Sequence, residues 1–348
     1  MSHPVSAGWA PIAPEAVRRV LVRCPNWLGD TVMAVPTIQA LRAALPDAEL
    51  WCLGPWVEAI LGDEPGIARR LAMPSGWRSQ LALAGQLRRA GVDLALLLPS
   101  SFESALAAWV AGARWRVGYA GDGRTRLLTH PVAPPEGFHH QVDAYLALLA
   151  PLGVRPVATV PTLRVSLAGR VEARRLLRAV GVQPGDRAVG IQLGAAFGPS
   201  KLWPPERLAA LDVALEGRGV PTVFLGGASA MPLLDAVEAS TGRPVPNLVG
   251  RDRPALLPAL LAELGVLVAP DSGPAHVAAA VGVPVVALFG PTDPRLTAPV
   301  GDRHAAVWAK PACAPCFLSD CPIDHRCLEA IGVDDVLAAV LERLGARP

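Results

Sequence analysis

The sequence predicts an α/β protein of two Rossmann-like, doubly wound parallel sheets facing a central cleft. Three observations carry that prediction. Apolar runs of strand length alternate with segments of helical period, in two series along the 348 residues. A weakly patterned, Pro- and Gly-containing stretch separates the two series. Glycine-bearing turns recur where the apolar runs end, the edge at which open α/β sheets collect ligands.

The elements follow in order. Residues 1–18 read as an exposed N-terminal tail. Residues 19–24 form a first strand, 30–45 a helix and 49–53 a second strand. A further strand at 92–98 leads into a helix at 102–110, where Ser100 and Glu103 have capping-box spacing. These elements make an N-terminal domain over 19–165. Residues 166–184, with one amphipathic helix at 171–180, are assigned as the linker region. The C-terminal domain over 185–330 carries strands at 189–193, 220–225, 266–269 and 283–290. Its helices are at 205–215, 233–240 and 255–264. Residues 331–348 form a C-terminal helix. Strands alternating with helices imply parallel sheets covered on both faces.

Composition sets the outer limits. A hydrophobic share of 51% with 18% charged residues describes a well-buried globular chain. A net charge of +2 gives no field that would point to nucleic acid. No run reaches the roughly 18 uninterrupted apolar residues of a membrane span. The N-terminal residues lack a basic head followed by an apolar core, so a cytoplasmic protein is expected. Lysine occurs only at Lys201 and Lys310, every other basic side chain besides histidine being arginine.

Four strand-end loops carry the chemistry. In Asn26-Trp27-Leu28-Gly29-Asp30, Asp30 sits at a helix mouth, either as an N-cap or as a general base for an acceptor hydroxyl. The loop from Gly194 to Pro204 is glycine-rich and holds Ser200 and Lys201, an ammonium suited to a diphosphate or simply solvated. Gly226-Gly227 follows a strand and could border a nucleoside. In Asp271-Ser272-Gly273-Pro274-Ala275-His276, a strand ends and a helix opens, with Asp271 or Ser272 placed to cap it. A helix N-terminus there offers N–H groups and a positive dipole end to a phosphate. Arg114, Arg116, Arg124 and Arg126 surround the loop from Gly118 to Gly123, as anion readers or as a solvated basic face.

Cys313, Cys316, Cys321 and Cys327 form a C-x2-C-x4-C-x5-C run. Structural zinc, reduced thiols and two disulfides are the competing readings. Cys24 and Cys52 fall in strand-like runs and are expected in the core.

Taken in order, these loops resemble the ADP-heptose:lipopolysaccharide heptosyltransferases of glycosyltransferase family 9, most closely the heptosyltransferase II subtype. The resemblance rests on Asn26 to Asp30, Pro99 to Leu106, Gly118-Tyr119 with Gly121 to Arg124, Gly194 to Pro204, Asp271 to Ala280, and Gly290-Pro291-Thr292. It implies a GT-B fold and an inverting, metal-independent transfer of heptose from ADP-heptose to the lipid A–Kdo–heptose inner core. No cofactor is implied for catalysis. The acceptor lies at the inner face of the inner membrane, so peripheral contact there is expected. Asp30 then corresponds to the base, and Lys201 with the 272–276 helix start to the leaving-group stabilisers. Gly194, Ser200, Gly226, Gly227, Asp271, Ser272, Gly273 and His276 fall to the donor, and Asn26, Trp27, Ser101 and Arg124 to the acceptor. One departure stands: no acid follows Gly227 until Asp235, whereas the family pattern carries acids there for the ribose. The alternatives are another nucleotide sugar in envelope synthesis, or a non-enzymatic two-lobed binding protein. A dinucleotide oxidoreductase is disfavoured, because no G-x-G-x-x-G follows the first strand.

Overall fold

In the computed structural model, residues 9–155, 159–251 and 253–345 are described, and the chain divides into two units, Met1–Pro161 and Thr162–Pro348. Each unit is built on one parallel sheet, and the two-unit Rossmann-like α/β class expected from the sequence is the class observed.

The first sheet has six strands: β1 (Arg19–Arg23), β2 (Glu49–Leu53), β3 (Arg69–Leu71), β4 (Leu94–Leu97), β5 (Trp115–Tyr119) and β6 (His130–Val132). Their order is β3-β2-β1-β4-β5-β6. All neighbours run parallel, and Val22 of β1 stands between Cys52 and Leu96. The strand order reverses between β1 and β4, and a crevice opens beyond strand ends at such a point. Every residue of β4 is buried, as expected of a parallel strand covered on both faces. Cys24 and Cys52 are fully buried core residues, as the sequence predicted.

Two readings of this unit change. The helix expected over 30–45 is two helices, Leu28–Met33 and Val35–Ala44, hinged at Ala34. Pro36 cannot donate to the turn before it, which accounts for the break. The expected tail is partly docked, while residues 1–8 of that tail lie outside the described residues. Ile12 is buried and its N–H donates to the Pro151 carbonyl at 2.9 Å. Trp9 meets His130 edge-on with ring centres 5.4 Å apart. Ile12 is buried and Trp9 half-buried, which holds this part of the expected tail against the unit.

The second sheet orders its strands β11-β10-β9-β7-β8. They are β7 (Val189–Gln192), β8 (Thr222–Leu225), β9 (Val266–Pro270), β10 (Val285–Phe289) and β11 (Ala305–Trp308). Here the order reverses between β7 and β9, and their carboxyl ends carry the loops at Gly194 and Asp271. Strands β9 and β10 are buried along their whole length. The C-terminal helix Val333–Gly345 buries Val336, Leu337 and Val340. Residues 346–348 of the expected helix lie outside the described residues.

The segment assigned as linker holds helix Leu167–Ala179, capped by Ser166, whose hydroxyl accepts from the Gly169 N–H at 3.3 Å. That helix packs on helix Leu257–Leu261. Arg170 and Arg174 also reach the nearly buried Glu263 at 2.9 and 2.6 Å. Residues 166–184 thus belong to the outer layer of the second unit. Strands β3, β5, β6 and β11 have no counterpart among the predicted elements. Two of them are only three residues long, and β5 carries Arg116 and Gly118, which mask its period.

Candidate active site

In the first unit the chemistry gathers beyond β1 and β4. Arg23 closes β1 and is buried, and burial holds its guanidinium below the usual arginine range. It donates to the carbonyl of Cys24 and, at 2.6 Å, to Asn26 Oδ1. The Trp56 indole donates to the Asn26 carbonyl at 2.9 Å. Asn26 is thereby held as a rigid corner of the loop, and Trp27 beyond it is 57% exposed. Asp30 lies in the first turn of helix Leu28–Met33, at the third helical position rather than at the cap.

The chain has two tyrosines, Tyr119 and Tyr145. Tyr145 is buried, and its phenol is pushed well above the ordinary range by that burial first and by the charge of Asp30 second. The hydroxyl of Tyr119 donates to the Ala144 carbonyl, and burial raises its phenol as well. The charge of Asp30 thus acts on a phenol that burial already keeps protonated. Sequence reasoning missed Tyr145; its rarity, two tyrosines in 348 residues, was the available signal.

A cavity of about 70 Å³ opens at this switch point, with Arg23, Asn26, Ser101 and Glu103 among its lining residues. Ser101, not Ser100, caps helix Phe102–Val110, its hydroxyl accepting from the Ser104 N–H at 3.3 Å.

Arg124 departs from its expected role as an acceptor reader. It is wholly buried and donates to the carbonyls of Pro99 at 2.6 Å and Ser101 at 3.1 Å, and to Ser104 Oγ at 3.3 Å. A guanidinium without exposed surface cannot touch a ligand in solution; this one braces the loop that presents Ser101. Gly118 makes room for it, since a Cβ there would overlap the guanidinium. Arg116 is likewise turned inward, onto the Leu127 carbonyl at 2.6 Å. Only Arg114, stacked 4.2 Å over Trp115, and Arg126 remain outward.

In the second unit three strand ends converge. Lys201 is buried, and its Nζ donates to Asp271 twice, to Oδ2 at 2.6 Å and to the backbone carbonyl at 3.0 Å. Thr292 Oγ1 donates to the same Oδ2 at 2.7 Å, and Thr297 Oγ1 approaches Oδ1 at 3.4 Å. Asp271 is thus neither a helix cap nor a free sugar contact; it ties the 200, 271 and 292 loops together. The ammonium keeps a third N–H beyond the two given to Asp271.

Helix Gly273–Ala280 opens with no side-chain cap. Ser272 Oγ is buried without a partner, so the expected capping by Asp271 or Ser272 does not occur. First-turn N–H groups at such a start are left for solvent or an anion. His276 is buried on this helix.

Gln192 ends β7 beside the same loops, nearly buried, with Oε1 unpartnered. Its amide nitrogen lies next to Gly194 and Gly226, where Cβ atoms would stand 3.5 and 4.0 Å from it. A glutamine at the end of an apolar run forms no motif, and sequence reasoning passed over it. Gly226 is buried, while Gly227 is exposed with open space at its Cβ position.

Ser200 also changes role. It is 2% exposed, its hydroxyl donates to the Leu318 carbonyl at 2.6 Å, and its N–H donates to the Ser319 carbonyl at 3.1 Å. Gly198, at φ 149°, is pressed against the Ser319 carbonyl, leaving no room for a side chain.

The cysteine-bearing segment is therefore a brace under the strand-end loops of the second unit. Its other end is pinned by the Cys316 and Phe317 N–H groups, which donate to the Pro291 carbonyl at 3.0 and 2.8 Å. The zinc expectation is not supported. All four thiols are free, Cys313 and Cys316 are exposed, and Cys327 is buried against Gly290. No group of three or more His, Cys, Asp or Glu among the described residues is placed to hold a metal ion, since tetrahedral ligation needs four thiolates on one centre.

Comparison with known proteins decides the family. The model for glycosyltransferase family 9 (heptosyltransferase) matches residues 80–326. The chain belongs to glycosyltransferase family 9. The family 9 chain is 30% identical over 307 residues to lipopolysaccharide heptosyltransferase 2 of Escherichia coli K12, covering 83% of this chain and 87% of that protein. It is 29% identical over 303 residues to lipooligosaccharide heptosyltransferase 2 of Haemophilus influenzae, covering 83% and 88%. Among solved structures, E. coli ADP-heptose lps heptosyltransferase II superposes with a TM-score of 0.79 at 28% identity, covering 94% of this chain and 98% of that one. The family resemblance drawn from the sequence is borne out, and the chain is a glycosyltransferase of the GT-B fold class, each of its two units an α/β fold on one parallel sheet. No helix among the described residues is long and apolar enough to cross a membrane.

Proposed function

We propose that this family 9 glycosyltransferase moves a heptose from ADP-heptose to the heptose/Kdo inner core of lipopolysaccharide. The observation that carries the reading is the pairing of two kinds of strand-end site in one family 9 chain. One holds a carboxylate, Asp30, beside a protonated phenol; the other holds an uncapped helix start beside the Lys201 ammonium.

The reaction asks for one in-line displacement. Asp30 accepts the proton of an acceptor hydroxyl, and the oxygen attacks the anomeric carbon. The bond to ADP breaks, its electron pair passing to the terminal phosphate oxygen, and the configuration inverts. Tyr145, held protonated, does not compete with Asp30 for that proton. Asn26, Trp27 and Ser101 frame the acceptor. On the donor side, the N–H groups at Ser272-Gly273 and the third N–H of Lys201 stabilise the diphosphate charge as it develops, which a metal ion would otherwise do. The Lys201–Asp271 pair has no net charge, so its contribution is directional: it fixes the β9 end and aims one N–H. Gly194, Gly226 and Gly227 leave backbone open to the nucleoside, with Gln192 as its polar neighbour in place of the absent acids. The enzyme acts in the cytoplasm, peripherally at the inner membrane.

The test is calorimetric titration with ADP and UDP, EDTA present throughout. The reading expects ADP to bind at least about tenfold more tightly, a difference of about 1.4 kcal/mol. A preference for UDP would move the donor to another nucleotide sugar, and binding of neither would remove the donor site.

A further inference from the structure

Helix Phe102–Val110 is built inside out. Its inward positions are small, Ser104, Ala105 and Ala108, whereas Phe102, Leu106 and Trp109 point to solvent and are 47%, 38% and 54% exposed. Their spacing of four and three residues sets them in one stripe, about 10 Å long at 1.5 Å per residue. A face packed for water would reverse this choice of residues.

The charge around the stripe is equally selective. Residues 77–126 hold seven arginines against three acids, Asp93, Glu103 and Asp122, an excess of four where the whole chain has two. Arg78, Arg88, Arg89, Arg114 and Arg126 are exposed, and the turn carrying Arg126 packs beside the helix. Helix Trp77–Ala90 packs on the same helix and adds Trp77 at 66% and Leu81 at 54% exposure. Glu103 is the one acid on helix Phe102–Val110, and its charge acts on Arg23.

We infer that this face docks on an anionic bilayer surface, with Phe102, Leu106 and Trp109 entering the headgroup region and the arginines meeting lipid phosphates. Aromatic and leucine side chains flanked by arginine are the composition of interfacial helices. The helix begins at Ser101, on the cavity shared with Asn26, so docking would hold the candidate acceptor loop at the lipid surface. The inference takes from the proposed function only that the acceptor is lipid-linked. Its test reads lipid binding without any transfer, so its failure leaves the transfer chemistry of the proposed function standing.

The experiment is co-sedimentation of the full chain with vesicles of phosphatidylcholine alone, and with about one third phosphatidylglycerol added. Binding is expected to the anionic vesicles and to weaken with salt. The pair Leu106→Gln/Trp109→Gln should lower the bound fraction at least about tenfold, with melting profile and ADP affinity kept, while Leu106→Met/Trp109→Phe should restore it. Unchanged binding by the glutamine pair would overturn the proposal. So would equal binding to both vesicle types, or a dimer of the parent chain that the glutamine pair dissolves, since the face would then seat a second copy.

Discussion

Lys201 and Asp271, seventy residues apart, form a buried ion pair with Nζ 2.6 Å from Oδ2 and 3.0 Å from the Asp271 carbonyl. The two side chains keep 10% and 7% of their exposure. The pair makes the strand-end loops of the second unit a single body, because Thr292 joins it from a third loop.

Removing one partner of such a pair leaves the other charge buried. Lys201→Ala should cost about 3 kcal/mol of stability, read as a lower urea midpoint, in addition to any loss of transfer. Lys201→Met with Asp271→Asn should recover most of that stability and none of the transfer. A loss below about 1 kcal/mol in the single variant would mean that the pair is effectively solvated. Weakened ADP binding in Lys201→Ala therefore has to be read beside its stability.

Gly118 and Arg124 give a sharper test of a reassigned residue. Gly118→Ala pushes a methyl into a guanidinium already held by Pro99 and Ser101, and should destabilise by about 1–3 kcal/mol in urea unfolding. Arg124→Met should act through stability in the same way. If either variant kept full stability and raised only the acceptor KM, Arg124 would be a ligand contact after all.

The sequence made the architecture legible because most of the inner strands are apolar runs, β5 with Arg116 and Gly118 being the exception. Strands β1, β4, β9 and β10 declare themselves, whereas β3 and β6 are three-residue edge strands with no period to detect. Loop motifs located the candidate site, since glycine, proline and a capping residue at a strand end have local causes. Side-chain assignments within those loops went astray where a distant segment intervened. Ser200 looked like a ligand contact until the carbonyls of Leu318 and Ser319 took it, more than a hundred residues away. Arg124 looked exposed until Gly118 admitted it. The Lys201–Asp271 pair was invisible for the same reason: each residue was read in its own loop, and only the sheet order brings the loops together. For the cysteine run, of the three readings the sequence left open, the free thiols fit the reduced one, because close spacing in sequence does not by itself converge four thiols on one point.

The role of Asp30 is the central claim, and one rate tests it most directly. Transfer from ADP-heptose by Asp30→Asn, under saturating donor and acceptor, should fall at least about a hundredfold, because the amide cannot accept the proton. ADP affinity and thermal unfolding should match the parent enzyme, since the substitution is isosteric and lies in the other unit. A variant that transfers heptose near the parent rate would contradict the assignment of Asp30 as the base.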